Sequence, residues 1–440
     1  FPRLSNPPRA LAEALSAHPQ RAVYTHMGGN TPQALVNWTA ELIAKGEADF
    51  VLLAGAEFLG GLRKKLTAGA DLAAYSAGGA AGEPEQFGDP RPGCTPQESA
   101  HGLAAPVNCY PLFENALRAH RKEGLGEHAK KIGALFEPFT KVAARNPNAW
   151  FPKARSADEL MASSDQNRMV GFPYPKLVNA IMEVDQAAAV IMASAEKADA
   201  LGIPADKRIY LHGCADAADL WNPIDRVNYY SSPAISICAR EAFKMAGKTP
   251  ADMSLIDLYS CFPVAVEIAC EEIGIKENDP RGLTVTGGLP YFGGPGNNYV
   301  MHSIAEMMTK LRAKPGAYGL VTANGWYLTK HAFGIYSSEP NAGEWKRRDP
   351  KSYQSEIDAL PHPEIVAAPS GEATIETYTV THSREGYRSG IVIGRDARGR
   401  RFVANTPADV DTLKDLEQRE GVGRLGSVTS EDGRNLFIPE

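Results

Sequence analysis

The apolar positions near the start of the chain follow the order strand, turn, helix, strand. Residues 22–27 have the composition of a strand, and the strand ends at Gly28 and Gly29. The apolar positions that follow recur at helical spacing, with Pro32 in the first turn, where proline is tolerated. The run from Phe50 to Gly55 has no polar alternation, which predicts a central strand covered on both faces.

A second unit of the same order lies far downstream, between Gly293 and Gly325. This repeat favours a duplicated α/β chain, although two such units also arise by chance. Between the units, residues 109–202 are predicted to be mostly helical, and this includes the alanine-rich segment VDQAAAVIMASAEKADALG. The proline-rich stretch 146–176 is predicted to be a loop that covers the core, as binding-site loops often do.

The residue composition changes after about residue 340, where a polar, proline-containing linker precedes a separate domain. Short strand-like runs follow, with a glycine-bearing turn at Arg398–Arg400, one helix, and a last hairpin that turns at Asp432 and Gly433. Four or five strands with one interposed helix predict a small barrel of the oligonucleotide/oligosaccharide-binding (OB) type.

Composition narrows the classes of function. The 440-residue chain is 43% hydrophobic and 22% charged with a net charge of −6, which is typical of a globular protein and does not favour nucleic acid. No apolar run has the length of a membrane helix and the first 15 residues lack the core of a signal peptide, so we expect a cytoplasmic protein. The six cysteines show no CxxC pairing, so neither a metal site nor a disulfide framework is expected.

Five segments, taken in order, resemble the thiolase superfamily, and specifically the thiolase-like proteins of type 1 and the sterol-carrier-protein type thiolases. The resemblance spans about residues 20–340, and the tail resembles the additional C-terminal domain of the type 1 proteins. The five segments are IAKGEADFVLLAGAE, VDQAAAVIMASAEKADALG, DLYSCFPVAVEIACEEIG, GGLPYFGGPGNN and GLVTANGWYLTKHAFGIYS.

The resemblance implies a duplicated α/β fold of five layers, with two mixed sheets around a central pair of helices and a small OB-like barrel added at the C-terminus. Residues 1–108 are then the N-terminal half, 109–202 a loop excursion that returns to this half, 203–340 the C-terminal half, and 341–440 the linker and added domain. Because the family has another strand and helices before the first matched segment, we expect the first half to be truncated or completed from elsewhere.

The implied activity is that of an acyl-CoA acyltransferase of the acetyl-CoA acetyltransferase type, which forms or cleaves C–C bonds in CoA thioesters during lipid metabolism. The thioester is the substrate, and no covalently bound cofactor is expected. In the family a cysteine accepts the acyl group, a histidine activates this cysteine, and a second cysteine moves the proton. In this chain Gly29, Gly294 and Asn324 stand at these three positions, and Tyr259 stands at the catalytic position of a fourth motif.

The candidate catalytic residues are therefore Tyr259, Cys261, Asn324 and His331. Cys261 is a candidate replacement nucleophile, or a packed thiol beside the site. His331 is a candidate base, or a structural histidine at a strand end. His302, on the second helix, is expected to be buried against its partner helix.

The candidate residues for binding the CoA thioester lie in the two glycine turns: Gly29, Asn30, Gly293, Gly294, Asn297 and Asn298. Amides donate hydrogen bonds to a thioester carbonyl, and glycines let a ligand approach the backbone. Alternatively, the asparagines cap helices and the glycines let two helices approach each other. Near the last domain's turn, Arg395, Arg398, Arg400 and Arg401 either contact phosphates or line a solvated turn, and the interleaved acidic residues favour the turn.

Two functions are consistent with these residues. One is an acyltransferase with a rearranged site. The other is a catalytically inert acyl-CoA-binding protein, or a partner subunit that hands a thioester to another enzyme through its C-terminal domain. The sequence leaves the formation of a homo-oligomer open.

Overall fold

The computed structural model describes residues 5–71 and 82–440. Its first part contains α1 Pro7–Ala14, β1 Val23–Thr25, α2 Thr31–Ala44, β2 Phe50–Phe58, α3 Leu59–Thr67, β3 Glu85–Phe87, α4 Pro96–Ala100, α5 Pro106–His120, α6 Leu125–Ala143, α7 Ala157–Met161, β4 Met169–Gly171, β5 Tyr174–Pro175, β6 Asp185–Ala193 and α8 Ala195–Ala200. Its second part contains β7 Tyr210–Ala218, α9 Pro233–Ala246, β8 Met253–Asp257, α10 Pro263–Ile273, α11 Tyr299–Arg312, β9 Tyr318–Gly325, β10 Lys330–Ser337, α12 Pro350–Asp358, β11 Gly371–His382, β12 Tyr387–Asp396, β13 Arg401–Asn405, α13 Val410–Gln418, β14 Leu425–Glu431 and β15 Arg434–Pro439.

The C-terminal half is built on a mixed sheet with the strand order β7-β10-β9-β8. Strand β10 runs antiparallel to both of its neighbours, whereas β8 and β9 are parallel. In the N-terminal half, β2 pairs with β6 in antiparallel fashion and β1 pairs with β3 in parallel. Helices α2 and α11 contact each other and strands of both halves. The layered, duplicated α/β fold that the resemblance implies is therefore confirmed.

The alanine-rich segment was predicted to be helical, and this prediction is wrong for its first half. Residues Asp185–Ala193 form strand β6, which pairs with β2 from Phe50↔Ala193 to Phe58↔Asp185. Alanine fits a helix and a strand alike, and the backbone hydrogen bonds to β2 decide in favour of the strand. A helix begins only at Ala195, after Ser194 accepts a capping hydrogen bond from the Lys197 N–H.

The prediction that β2 is covered on both faces is also wrong for the described residues. Phe50, Leu52 and Phe58 are 47%, 41% and 44% exposed, respectively. Among the described strands, β2 pairs only with β6. An apolar run without alternation therefore identified the strand but not the extent of its burial.

The C-terminal domain is a closed five-stranded barrel with the strand order β11-β12-β13-β15-β14, and β11 pairs with both β12 and β14 to close it. Strands β13 and β15 are parallel, and α13 connects β13 to β14. Asp432 and Gly433 have φ angles of 48° and 74° at the last hairpin turn. The predicted small barrel is confirmed, whereas its assignment to the OB type stays a prediction.

The barrel is fixed to the rest of the chain by polar contacts with helix α5. The Asn115 amide donates to the backbone carbonyls of Phe172 and Tyr378 at 3.1 and 2.9 Å. The Arg118 guanidinium forms two bonds, at 2.6 and 2.7 Å, with the carboxylate of Glu420. Strand β4 extends the barrel by pairing with β11 at Thr381. The barrel and the α/β core thus share one continuous interface.

The four arginines near the turn of the barrel have different surroundings. Arg400 is paired with Asp396 at 2.7 Å, as expected for a solvated turn. Arg401 departs from this expectation because it is fully buried. Its guanidinium donates to Glu376 Oε2 at 2.8 Å and to the backbone carbonyl of Ile224 at 2.9 Å. Arg401 therefore joins the barrel to the core.

No helix in the described parts of the chain is both long and apolar enough to cross a membrane. All six cysteines are free; Cys94 is half-buried and the other five are buried.

Candidate active site

The two glycine turns meet at the centre of the molecule. The Gly28 N–H donates to Asn297 Oδ1 at 2.9 Å, and the Asn298 amide donates to the Gly55 carbonyl at 2.6 Å. Both asparagines of the second turn therefore hold the two halves together. Asn30 occupies the N-cap position of α2 but makes no capping hydrogen bond, and its Oδ1 is buried without a donor.

The space at the position of the family's nucleophile is filled. A Cβ atom built on Gly29 would lie 2.4 Å from the Tyr259 hydroxyl and 2.5 Å from the Asn324 backbone carbonyl. Such distances are far below van der Waals contact, so the glycine permits this close approach. The tyrosine hydroxyl occupies the place of a side chain at residue 29.

The glycines of the second turn also serve packing. A Cβ on Gly293, whose φ is 121°, would lie 2.5 Å from Gln186 Oε1. The Gly294 N–H donates to the Ile181 carbonyl at 2.8 Å. Gly293 thus packs on strand β6 itself, and Gly294 bonds to the segment that precedes this strand. His302, which was expected to be buried against the partner helix, is half-buried and packs edge-on against the ring of Phe292, with centroids 5.3 Å apart.

The four candidate catalytic residues are brought together. Tyr259, Asn324 and His331 line one small internal cavity of about 10 Å³. The Cys261 Sγ lies 3.9 Å from the Asn324 amide nitrogen. The cavity has the size that a single water molecule needs, so an acyl thioester does not fit in it.

Tyr110, which the sequence did not single out, organises these side chains. Its hydroxyl accepts a hydrogen bond from the Asn324 amide at 2.8 Å and donates one to the Trp326 carbonyl at 2.8 Å. Its ring stacks on Phe262 with centroids 4.4 Å apart. The Asn324 amide is thus held by a buried phenol and is not aimed at an open pocket.

Burial also sets the protonation of the site. It raises the pKa of the Cys261 thiol to about 12, and the Tyr110 and Asn324 contacts lower this value only in part. It lowers the pKa of His331 to about 4 against the opposing effect of Asp219, whose Oδ2 lies 4.0 Å from the histidine Nε2. Near neutral pH the thiol is therefore protonated and the imidazole is uncharged. A histidine with so low a pKa is a weak base, and the raised pKa of the thiol makes its deprotonation harder, so the two groups are poorly matched for activating a thiol nucleophile.

A larger cleft opens beside the first turn of α2. It has a volume of about 830 Å³ and is lined by residues from several distant segments. Its walls include Asn30, Trp38, Asp89, Trp221, Lys330 and Arg347. This volume lies in the range of small-molecule sites. No local pattern indicates this cleft, because its walls come together only in the fold.

One group of potential metal ligands is present among the described residues. The ligand atoms of Glu114, His128 and Glu267 lie within 4.8 Å of one another, and all three residues are buried. His128 Nε2 lies 2.5 Å from Glu114 Oε1, and Arg121 donates to Glu267 Oε1 at 3.1 Å. Burial raises the pKa of both carboxyl groups. These contacts make the group a hydrogen-bonded junction of α5, α6 and α10.

Known proteins with related sequences and structures share this architecture. The crystal structure of the monomeric SCP2-thiolase-like protein type 1 from Mycobacterium smegmatis superposes with a TM-score of 0.87 and 38% identity, over 99% of this chain and 86% of that one. The family model of the thiolase-like protein type 1 additional C-terminal domain matches residues 352–434.

Curated relatives match shorter parts of the chain. Acetyl-CoA acetyltransferase of Methanothermobacter thermautotrophicus is 29% identical over 50% of this chain, and the match spans 58% of that enzyme's length. The 17-hydroxy-3-oxo-4-pregnene-20-carboxyl-CoA lyase of Mycobacterium tuberculosis is 28% identical over 65% of this chain and 72% of its own length.

The layered fold and the two facing glycine turns define a protein with the thiolase fold. The added barrel then distinguishes it within that class. The chain belongs to the SCP2-thiolase-like proteins of type 1, in the thiolase superfamily.

Proposed function

We propose that this protein binds acyl-CoA thioesters but does not catalyse the cysteine-dependent Claisen reaction of thiolases. The observation that carries the proposal is the contact at Gly29, where Tyr259 and Asn324 occupy the space of a nucleophilic side chain. A covalent acyl-enzyme requires a nucleophile about 3 to 3.5 Å from the thioester carbon. A buried, protonated Cys261 does not replace it.

The cleft beside α2 supports the binding part of the proposal. It opens at Asn30 and Thr31, the first residues of the helix that carries the nucleophile in the family. The positive end of the helix dipole favours anionic or carbonyl ligands at this end, although the Thr31 N–H already donates to the Gly28 carbonyl at 3.0 Å and Pro32 has no N–H. The ligand therefore reaches the same turn from the side of the cleft, while the internal side is closed.

Calorimetric titration with CoA, acetyl-CoA and a long-chain acyl-CoA tests this proposal, together with an assay of acetoacetyl-CoA thiolysis. We expect saturable binding and no thiolysis. Ala34→Trp narrows the cleft and should weaken binding, whereas Ala134→Trp, on an exposed position of α6, serves as the matched control. The proposal would be refuted if this protein alone catalysed thiolysis, or if it bound none of the CoA esters.

A second candidate function is a carbon–carbon lyase that acts on CoA thioesters, and the matched Mycobacterium tuberculosis lyase favours it. A retro-aldol cleavage needs proton transfer and stabilisation of an enolate, but no thiol nucleophile. Incubation with a β-hydroxyacyl-CoA and detection of the released carbonyl compound distinguishes this candidate from pure binding. Delivery of the thioester to a partner protein through the barrel stays a further prediction.

A further inference from the structure

Lys330, the first residue of strand β10, lies at the cleft and is only 7% exposed. Its Nζ donates one hydrogen bond, to the Met27 carbonyl at 2.6 Å. Its other two N–H donors have no acceptor within the described residues. Asp89 is the carboxylate that acts on it electrostatically, but Asp89 is held by Arg91 at 2.7 Å. The lysine thus has no ion pair of its own in this part of the chain.

Aromatic rings surround this amine. The centroids of Trp221 and Trp326 lie 5.8 and 5.7 Å from Lys330 Nζ, and the Arg91 guanidinium lies 3.8 Å from the centroid of Trp221. Burial lowers the pKa of Lys330 to about 8; the carboxylate of Asp89 opposes this change and the charge of Arg91 adds to it. An amine that is neutral in part near pH 8 is a nucleophile, unlike an ordinary ammonium group.

The backbone next to Lys330 leaves room for its side chain at a glycine and has two residues with positive φ angles nearby. A Cβ on Gly28 would lie 2.6 Å from Lys330 Nζ and 2.5 Å from Asn30 Oδ1, so both atoms border the same small space. On the other side, Trp326 and Leu328 have positive φ angles of 57° and 54°, which are strained for these residues. Backbone strain of this kind is retained where a particular geometry is required.

Two polar atoms in this region lack partners. Asn30 Oδ1 is buried without a donor, and the Trp326 indole N–H is buried without an acceptor. Buried polar atoms are nearly always hydrogen-bonded in folded proteins. Asn30 lines the cleft, so a ligand bound there that carries an N–H or hydroxyl group would supply the missing donor to Asn30 Oδ1. The amides in the pantetheine arm of an acyl-CoA carry such N–H groups.

We propose that Lys330 is an acyl-acceptor site, at which an acyl-CoA bound in the cleft transfers its acyl group to Nζ. The neutral amine attacks the thioester carbon, an N–C bond forms, and the C–S bond breaks. The leaving thiolate takes up the proton that the amine loses, so the products are N-acyl-lysine and free CoA. This inference rests on the proposed binding of acyl-CoA and adds a defined acceptor to it.

Peptide mapping by mass spectrometry tests the proposal on the wild-type protein. The protein is incubated with acetyl-CoA at pH 8.0 and 9.5, and acetylation of Lys330 is compared with that of Lys131. Lys131 is an exposed lysine whose pKa is raised by Glu123. We expect Lys330 to be acetylated faster at pH 8.0. From pH 8.0 to 9.5 its rate should rise only about twofold, whereas that of Lys131 should rise more than tenfold, since the two amines lose their protons in different ranges.

Two further arms separate this proposal from the proposed function. S-acetyl-N-acetylcysteamine, a short thioester, replaces acetyl-CoA in one arm, and calorimetry measures CoA binding in the other. If CoA does not bind but the short thioester still modifies Lys330 preferentially, the proposed function fails and transfer from bound acyl-CoA is refuted with it, while the acceptor site stands for short thioesters alone. If CoA binds but neither thioester modifies Lys330 faster than Lys131, the acceptor site is refuted. Lys330→Arg confirms the assignment of the modified peptide, and protein unfolded in urea should lose the preference.

Discussion

Substitution of Gly29 by alanine is the sharpest test of the closed site. The added methyl group would lie 2.4 Å from the Tyr259 hydroxyl and 2.5 Å from the Asn324 carbonyl. The φ angle of Gly29 lies outside the left-handed region, so the alanine backbone itself is unstrained. The whole cost of the substitution therefore comes from the two contacts.

The size of that cost follows from what can move. The Asn324 carbonyl belongs to strand β9 and is fixed by pairing with β10. The Tyr259 ring packs edge-on against Tyr299, with centroids 5.7 Å apart, and has little freedom to rotate away. Overpacking lowers the free energy of unfolding by about 1 to 3 kcal/mol. Because both contacts are rigid, we expect Gly29→Ala to lose about 3 kcal/mol. That is a large part of the about 5 to 15 kcal/mol by which a folded protein is stable.

Urea unfolding measures this loss, with Gly126→Ala as the matched control. A Cβ on Gly126, in α6, meets nothing within 4 Å, so that variant should be as stable as wild type or slightly more stable. Tyr259→Phe in the Gly29→Ala background removes the 2.4 Å contact with the hydroxyl but leaves the ring Cζ 3.0 Å from the added methyl group, and it should restore about 1 kcal/mol of the unfolding free energy. A Gly29→Ala protein with wild-type stability would show that the space in front of this turn is open, and the proposed closure of the site would then be wrong.

Three further predictions concern buried groups. Burial raises the pKa of Asp257 to about 6, so ionisation of this carboxyl group destabilises the folded protein as the pH rises from 4 through 6. The free energy of unfolding of Asp257→Asn should therefore exceed that of wild type by about 3 kcal/mol at pH 8 and by little below pH 4. The opposite order in pH-dependent urea unfolding would contradict this prediction. Iodoacetamide should modify half-buried Cys94 before Cys261 in the native protein, as read by mass spectrometry, and earlier modification of Cys261 would show an accessible thiolate. Arg401→Met should cost about 3 kcal/mol in urea unfolding, because the buried Ile224 carbonyl loses its donor and Glu376 keeps only the partly exposed Arg395 as its ion partner. Arg395→Met, at a side chain that is 37% exposed, should cost less than about 1 kcal/mol, and equal losses would refute the interface role.

Local pattern was sufficient for much of the fold. The spacing of apolar residues and the position of Pro32 predicted helix α2, and the Asp432-Gly433 pair predicted the final hairpin, because turn geometry depends on the residues in the turn. The alanine-rich segment was assigned incorrectly because alanine gives little periodic contrast. Its state depends on pairing with β2, more than 100 residues away, and no local pattern contains that information.

The candidate site divides in the same way. The order of motifs predicted that Tyr259, Asn324 and His331 are neighbours, and all three line one cavity. The same motifs do not indicate that burial keeps His331 uncharged near neutral pH, because that depends on the surrounding side chains. Lys330 was not considered for a similar reason. Its hydrogen bond joins residues 303 positions apart, and its aromatic neighbours come from separate loops.

The replacements at the family's catalytic positions depend on one another. The Tyr259 hydroxyl and a side chain at residue 29 cannot occupy the same space, so the tyrosine requires glycine there. The Asn324 carbonyl approaches the same point, while its amide is held by Tyr110. A cysteine restored at residue 29 alone would therefore meet a tyrosine and a backbone oxygen instead of a thioester and a base. On its internal side, the turn at Gly29 is therefore packed against Tyr259 and Asn324. Its open side faces the cleft that Asn30 and Lys330 line.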